Sequence, residues 1–207
     1  MEAGKLVVLE GISKAGVSPV AESIKLGLVE RGIAAHVIGG MDSVDMFGES
    51  LQGYGTFGEN PLRDLKHEAV GLILRFQEEV FERLAEGEWV VMRHGILSLE
   101  ADAYALGMDR ELIELLMGPL EEFIKLNSLK GKVVKPVVFV LDIAPEKTAA
   151  RLGEGNFGSE KMEIMRKKSV YLLEKACVRG GMVIIDADRP KEEVSSHVLE
   201  LILKDIR

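Results

Sequence analysis

The stretch KLVVLEGISKAGVS, Lys5 to Ser18, decides how the rest of the chain is read. Leu6, Val7, Val8 and Leu9 form an unbroken apolar run, the pattern of a strand buried on both faces, and Glu10 ends it. Gly11 through Ser18 (GISKAGVS) then turns and leads into a helix. Gly11, Gly16 and Ser18 stand at the spacing of the pattern GxxxxGK[ST], in which consecutive backbone N–H groups converge on phosphate oxygens at a helix N-terminus. Val17 stands where that pattern has lysine. The amides need no lysine, whereas a phosphoryl group in transfer does, so its absence weighs on chemistry more than on binding. A plainer reading stands beside this one: a glycine turn before a helix, binding nothing.

Outward from the loop, Val20, Ile24 and Leu28 recur at helical spacing to Arg31, with Pro19 in the first turn and Gly32 as a stop. Ala34 to Ile38 reads as a second strand, which completes a strand, helix, strand unit of the size of a parallel crossover. Residues 41–60 are glycine-rich and weakly patterned, with Asp42, Asp45, Tyr54 and Phe57 among them. A long helix is expected from Pro61 to about Glu86, its stripe being Leu65, Ala69, Leu72, Ile73, Phe76, Val80 and Leu84. Glu88 to Arg93 is a third strand, followed by helices over 101–107 and 109–127, with Asp109 capping the second. Lys135 to Asp142 is a fourth strand, β-branched and aromatic, and Met182 to Asp186 a fifth. Helices are expected over 145–152, 160–177 and 190–206, with a glycine-rich segment at 153–159. Strands alternating with helices imply an α/β three-layer sandwich around a five-stranded parallel sheet, with ligands at the carboxyl ends of the strands.

The 207 residues suffice for one substantial core, so a single domain over 1–207 is expected. At 47% hydrophobic and 29% charged, the composition is that of an ordinary globular protein. No apolar run is long enough for a membrane span and no signal-peptide profile opens the chain, from which a cytoplasmic address is expected. A formal net charge of −8 argues against a nucleic-acid-binding surface but not against a local basic pocket. Cys177 is the only cysteine, expected as a buried, inert thiol, and the four histidines show no metal-ligand spacing. Trp89 and Phe139 are assigned to the core.

With the loop, EWVVMR, VFVLDIAPEKTAARL and VIIDAD in this order, the chain resembles the thymidylate kinases, nucleoside monophosphate kinases of the P-loop NTPase fold, over nearly its full length. The resemblance implies ATP as phosphoryl donor, Mg²⁺, and dTMP or a related monophosphate as acceptor, with no nucleic-acid or membrane partner. It also implies a homodimer, for which the apolar face of the helix from 61 is one candidate surface and an internal core the other use of that face. Residue by residue, it places Gly11, Ser13, Lys14, Ala15, Gly16, Val17 and Ser18 around the donor phosphates. Ser13 holds the place of a family aspartate, Lys14 that of a loop arginine, and Ser18 that of the Mg²⁺ hydroxyl. Arg151 matches an arginine stacked on the donor adenine. Arg93 matches the arginine of an Asp-Arg-Tyr motif that steadies phosphate, and here the motif reads Met92, Arg93, His94. Arg75, Ser98 and Tyr104 correspond to residues near the acceptor.

Three charged groups of the family pattern are absent at matched places: the loop lysine, the strand-end aspartate and the arginines of the lid, which 153–159 lacks. Lys14 and Arg93 are the candidate catalytic cations, and Arg166 a partial stand-in for the lid. Each has a plainer alternative. Lys14 is either a surrogate cation or a solvated lysine; Arg93 either holds phosphate or pairs with a carboxylate such as Glu10; His94 either replaces the tyrosine or is structural. Losing one such clamp commonly costs about 10²-fold in rate. Two functions follow: a working kinase, or a degenerate relative that binds a nucleotide or a protein without turnover.

Overall fold

A computed structural model of the chain describes residues 4–39, 61–126, 128–129, 132–133, 135–151 and 158–204. The 41–60 loop and residues 153–157 of the lid segment lie outside them. The elements are β1 (Leu6–Gly11), α1 (Val17–Val29), β2 (Ala35–Gly39), α2 (Pro61–Arg75), α3 (Phe81–Ala85), β3 (Trp89–Arg93), α4 (Ile96–Ala105) and α5 (Arg110–Leu126). There follow β4 (Ser128–Leu129), β5 (Lys132–Val133), β6 (Val137–Asp142), α6 (Pro145–Arg151), α7 (Ser159–Arg179), β7 (Met182–Asp186) and α8 (Lys191–Lys204). The expected parallel sheet forms, five-stranded in the order β2-β3-β1-β6-β7. β1 is central, and its residues alternate between two cores. Leu6 and Val8 join Val90 and Met92 beneath α2, α3 and α5, whereas Val7 and Leu9 join Trp89, Val91 and the inner faces of α1 and α8. That double burial is why β1 reads as an apolar run without alternation.

Register sets the functional edge. Leu9 stands opposite Arg93, Gly11 opposite Leu141 and Asp142 opposite Asp186, so the segments after β1, β3, β6 and β7 emerge together.

Four expectations need correction. The helix from Pro61 is not continuously α: a π-helical turn spans Phe76–Val80, closed by the Phe81 N–H bonding to the Phe76 carbonyl. The sequence reason is spacing, since Phe76 and Phe81 are both buried five residues apart, with ring centroids 5.6 Å apart, and a π turn brings five-apart residues onto one face. The stripe of this helix, including Leu65, Leu72, Val80 and Leu84, is spent on the internal core. Second, α4 begins at Ile96 rather than 101; Leu97 through Ala103 are all buried, so the segment carries no amphipathic period to announce it. Third, the short antiparallel pair of β4 and β5 was not expected. Fourth, Cys177 is exposed. Asp109 does cap α5, accepting from the Glu111 and Leu112 N–H groups at 2.9 and 3.3 Å. Trp89 and Phe139 are buried.

α4 is also tied to α7 by charge. Glu100, 0% exposed, accepts from Arg179 Nη2 at 2.9 Å and from the Tyr171 hydroxyl at 3.3 Å, and Arg179 also reaches Glu121 at 2.5 Å. Lys168 pairs with Asp102. Among the described residues, no helix is long and apolar enough to cross a membrane.

Candidate functional site

The loop between β1 and α1 is built on two left-handed backbones. A turn closes from the Ala15 N–H to the Ile12 carbonyl at 3.0 Å, with Lys14 at φ 63°, and Gly16 follows at φ 101° as the residue that caps α1. Only glycine adopts the second freely, which fixes Gly16 in the motif. No described side chain caps α1 and no acidic residue stands in its first turn. The early amides of the helix are thus left for water or an anion, and Pro19 has no N–H to leave over.

Val17, where a lysine would stand, is 4% exposed and belongs to the core; its Cγ2 lies 3.1 Å from where a Cβ on Gly11 would sit. The isopropyl group is tucked beside Gly11, and the hollow above the loop stays open. It forms a cavity of about 540 Å³ lined by Ile12 to Val20 together with His94, Arg151, Ala187, Arg189, Lys191 and Val194. Of the residues singled out in the sequence, Ser13, Lys14, Ala15, Gly16, Val17, Ser18 and Arg151 meet here. Gly11 sits at the end of β1 beneath them.

Arg93 reaches the same place from β3, its Nη1 donating to Ser18 Oγ at 3.2 Å. Glu10, the alternative partner, accepts instead from the Ser98 hydroxyl and from the Gly95 N–H at 3.0 Å. A Cβ at position 95 would lie 3.0 Å from Glu10 Oε1 and 3.1 Å from Val8 Cγ1, so a larger residue would press on both side chains. Glu10 is 1% exposed, and burial pushes its carboxyl up to about 7 against the pull of those two hydrogen bonds. Ser98 Oγ in turn lies 3.1 Å from His94 Nδ1.

Arg151 bridges the loop to the far side of the cavity, donating to the Lys14 carbonyl at 3.1 Å and to the Ala187 carbonyl at 3.3 Å. Arg166 is held on Glu146 at 2.9 and 3.1 Å. Two other sequence candidates stand apart from the cavity. Arg75 donates to the Gly39 carbonyl at the end of β2. Tyr104 packs against Tyr171 at 5.0 Å, with the Arg110 guanidinium 4.6 Å above its ring. Sequence reasoning passed over Arg189 and Lys191 and left His94 open. Their signal was available, since all three follow the carboxyl ends of strands.

Among the described residues, a Mg²⁺ ion would find little to hold it. No group of three carboxylate, histidine or cysteine side chains assembles among them, and the hydroxyl of Ser18 faces a guanidinium. Mg²⁺ sites in proteins ordinarily supply one or two carboxylates beside the phosphates, and none is among the described residues that line this cavity. A second cavity, about 700 Å³, lies under the other face of the sheet between Leu6, Val8, Phe76, Met92 and Arg179.

Comparison with known proteins agrees with this geometry. No family model matches the chain. It is 29% identical over 208 residues, 97% of each chain, to a protein of Pyrobaculum aerophilum named probable thymidylate kinase. It is also 29% identical over 210 residues, 99% of this chain and 98% of the other, to a protein of the same name from Methanosarcina mazei. In sheet order it has the parallel arrangement read from its sequence, and along nearly its whole length it is similar to these proteins named probable thymidylate kinase.

Proposed function

We propose that this protein binds the phosphates of ATP on the loop from Gly11 to Ser18 and passes the terminal phosphoryl group to dTMP or a closely related nucleoside monophosphate. The observation that carries the reading is the open cavity over uncapped helix amides, ringed by Lys14, Arg151, Arg189 and Lys191. An oxyanion bound there is met by backbone donors, a helix N-terminus and cationic side chains, which is how sites of phosphoryl transfer stabilise spreading negative charge. In this reading Lys14 neutralises the donor, Arg93 steadies phosphate beside Ser18, and Arg151 flanks the base. Arg75, Ser98 and Tyr104 are assigned to the acceptor side only by the resemblance. The protein is taken to be homodimeric on the same ground, which light scattering tests; the cytoplasmic address is the expectation from the sequence profile alone.

One set of observations favours a second reading, a nucleotide- or protein-binding scaffold without turnover. Val17 is packed into the core, Met92 replaces a carboxylate at the end of β3, and no acidic cluster gathers a metal among the described residues. The deciding experiment follows ADP formation by the purified protein with ATP, Mg²⁺ and a panel of monophosphates. Turnover above about 1 s⁻¹, the low end for kinases, removes the scaffold reading. In the kinase reading, Lys14→Ala lowers ATP affinity by about tenfold, the worth of one charge-assisted hydrogen bond. If calorimetry finds neither ATP nor dTMP bound, the loop is only a turn and the kinase reading falls.

A further inference from the structure

The cavity over the loop is joined to the buried centre of the sheet by a chain of three side chains. Glu10, 1% exposed, accepts from the Ser98 hydroxyl; Ser98, 2% exposed, lies 3.1 Å from His94 Nδ1; and His94 lines the cavity opposite the loop. Hydrogen-bond bookkeeping gives the chain a direction. A serine hydroxyl has one proton. With Glu10 ionised that proton lies on the bond to the carboxylate, Ser98 Oγ accepts from Nδ1–H, and the ring donates to an anion from Nε2 only as the imidazolium. With Glu10 protonated the carboxyl can donate to Ser98 and Ser98 to Nδ1, which leaves Nε2–H for the anion. In either state the ring's orientation is set from behind, as for functional histidines elsewhere. His94 sits at φ 58°, in the left-handed region where histidine is among the more common residues after glycine. Its N–H is held by the Leu9 carbonyl at 2.9 Å, which ties the residue to the central strand.

We infer that His94 is the side chain that contacts the phosphates held by the loop in place of the lysine missing at position 17, and that Ser98 and Glu10 are its positioning residues. The inference rests on the nucleotide-binding reading of the cavity and adds to it a donor in place of the missing lysine. The lysine of the motif would enter from the floor of the loop at position 17; His94 enters from the end of the neighbouring strand, and so needs its own support. The ligand class is a polyphosphate, and inorganic tripolyphosphate, which has no base to recognise, is the simplest probe.

The test titrates the full chain and its His94→Asn variant with tripolyphosphate and with ATP by calorimetry. Asparagine tolerates the left-handed backbone, so the variant keeps the turn while losing the ring. Affinity for both ligands is expected to fall about tenfold or more, as for loss of one hydrogen bond to a charged group. A second readout is the imidazole carbon signal of His94 in heteronuclear NMR, assigned by its disappearance in the variant. It is expected to move on addition of tripolyphosphate in the parent protein and to lose most of that movement in Ser98→Ala. If the parent binds and His94→Asn binds equally well, or if the His94 signal stays still while the loop amides move, this inference is overturned and the nucleotide reading stands. If the parent binds neither ligand, both fall.

Discussion

Replacing Glu10 with glutamine isolates the buried carboxyl on which the strand ends are assembled. In the native protein burial carries that group from an ordinary value of 4.5 to about 7, whereas in the unfolded chain it titrates normally. Between those values the native state holds the proton and the unfolded state has released it, so stability falls as pH rises from about 4.5 to about 7 and stays lowered above. At about 1.4 kcal/mol per pH unit, the full loss is on the order of 3 kcal/mol. Glutamine has nearly the same shape and can keep both contacts, its oxygen accepting from the Gly95 N–H and its amide donating to Ser98 Oγ, which then donates to His94. It lacks only the titration. Urea unfolding of both proteins at half-unit steps from pH 5 to 8 is the assay, because the linear extrapolation gives stability in each buffer. Glu100, also pushed up by burial, titrates in both proteins and cancels in the difference. The variant is expected to gain on the parent as pH rises, reaching about 3 kcal/mol by pH 8. A difference that stays constant across the window refutes the reasoning, and would mean that Glu10 is solvated in the native protein.

Two further outcomes follow from the same contacts. Arg179→Ala leaves Glu100 buried without its guanidinium, and is expected to cost about 3 kcal/mol in urea unfolding at pH 7, as for other broken buried pairs; the double variant with Glu100→Gln should recover most of that loss. Val17→Lys returns the lysine to a loop whose amides are already placed, at a cost in stability of about 2 kcal/mol for the lost burial. In calorimetry it should bind ATP about tenfold more tightly than the parent, and unchanged affinity would mean that the loop does not carry phosphate.

Strands were the legible part of this fold, because cover on both faces turns inner strands such as β1 and β3 into short apolar blocks, and the edge strand β7 keeps such a block although Val183 and Ile184 are exposed. Helices were legible where one face meets water, as in α1 and α8. They were not where burial is all round: Leu97 through Ala103 contain Ser98, Glu100 and Asp102, polar residues that elsewhere mark an exposed face. Each is inside because a partner arrives from afar: Ser98 by Glu10, Glu100 by Arg179, Asp102 by Lys168. Partners separated by about 70 to 90 positions leave no local trace. The π turn was hidden for a different reason, since the five-residue spacing of Phe76 and Phe81 is a small departure from helical periodicity. At the site, the loop was legible because its backbone requirement is local. The histidine was not, because what distinguishes it from any strand-end histidine is the carboxylate two links behind it.

In the kinase reading, that difference bears on which step of phosphoryl transfer is the weaker. The cations at the rim of the cavity are held loosely. Arg189 lies 3.8 Å from Asp186 and Lys191 lies 3.7 Å from Glu192, exposed pairs worth little each, so both side chains can turn to an arriving anion at small cost. Groups that reorient on binding help the ground state and the transition state alike, and such uniform binding does not raise the turnover rate. Acceleration requires donors fixed before the charge moves. In this cavity the fixed donors are the loop amides and the imidazole anchored through Ser98 to Glu10. Arg151 is equally fixed, yet two of its N–H groups are committed to the carbonyls of Lys14 and Ala187. In the kinase reading, a site with many adjustable cations and few anchored ones would bind nucleotide well and turn it over slowly, and its catalytic rate should depend more steeply on His94 than on Lys14.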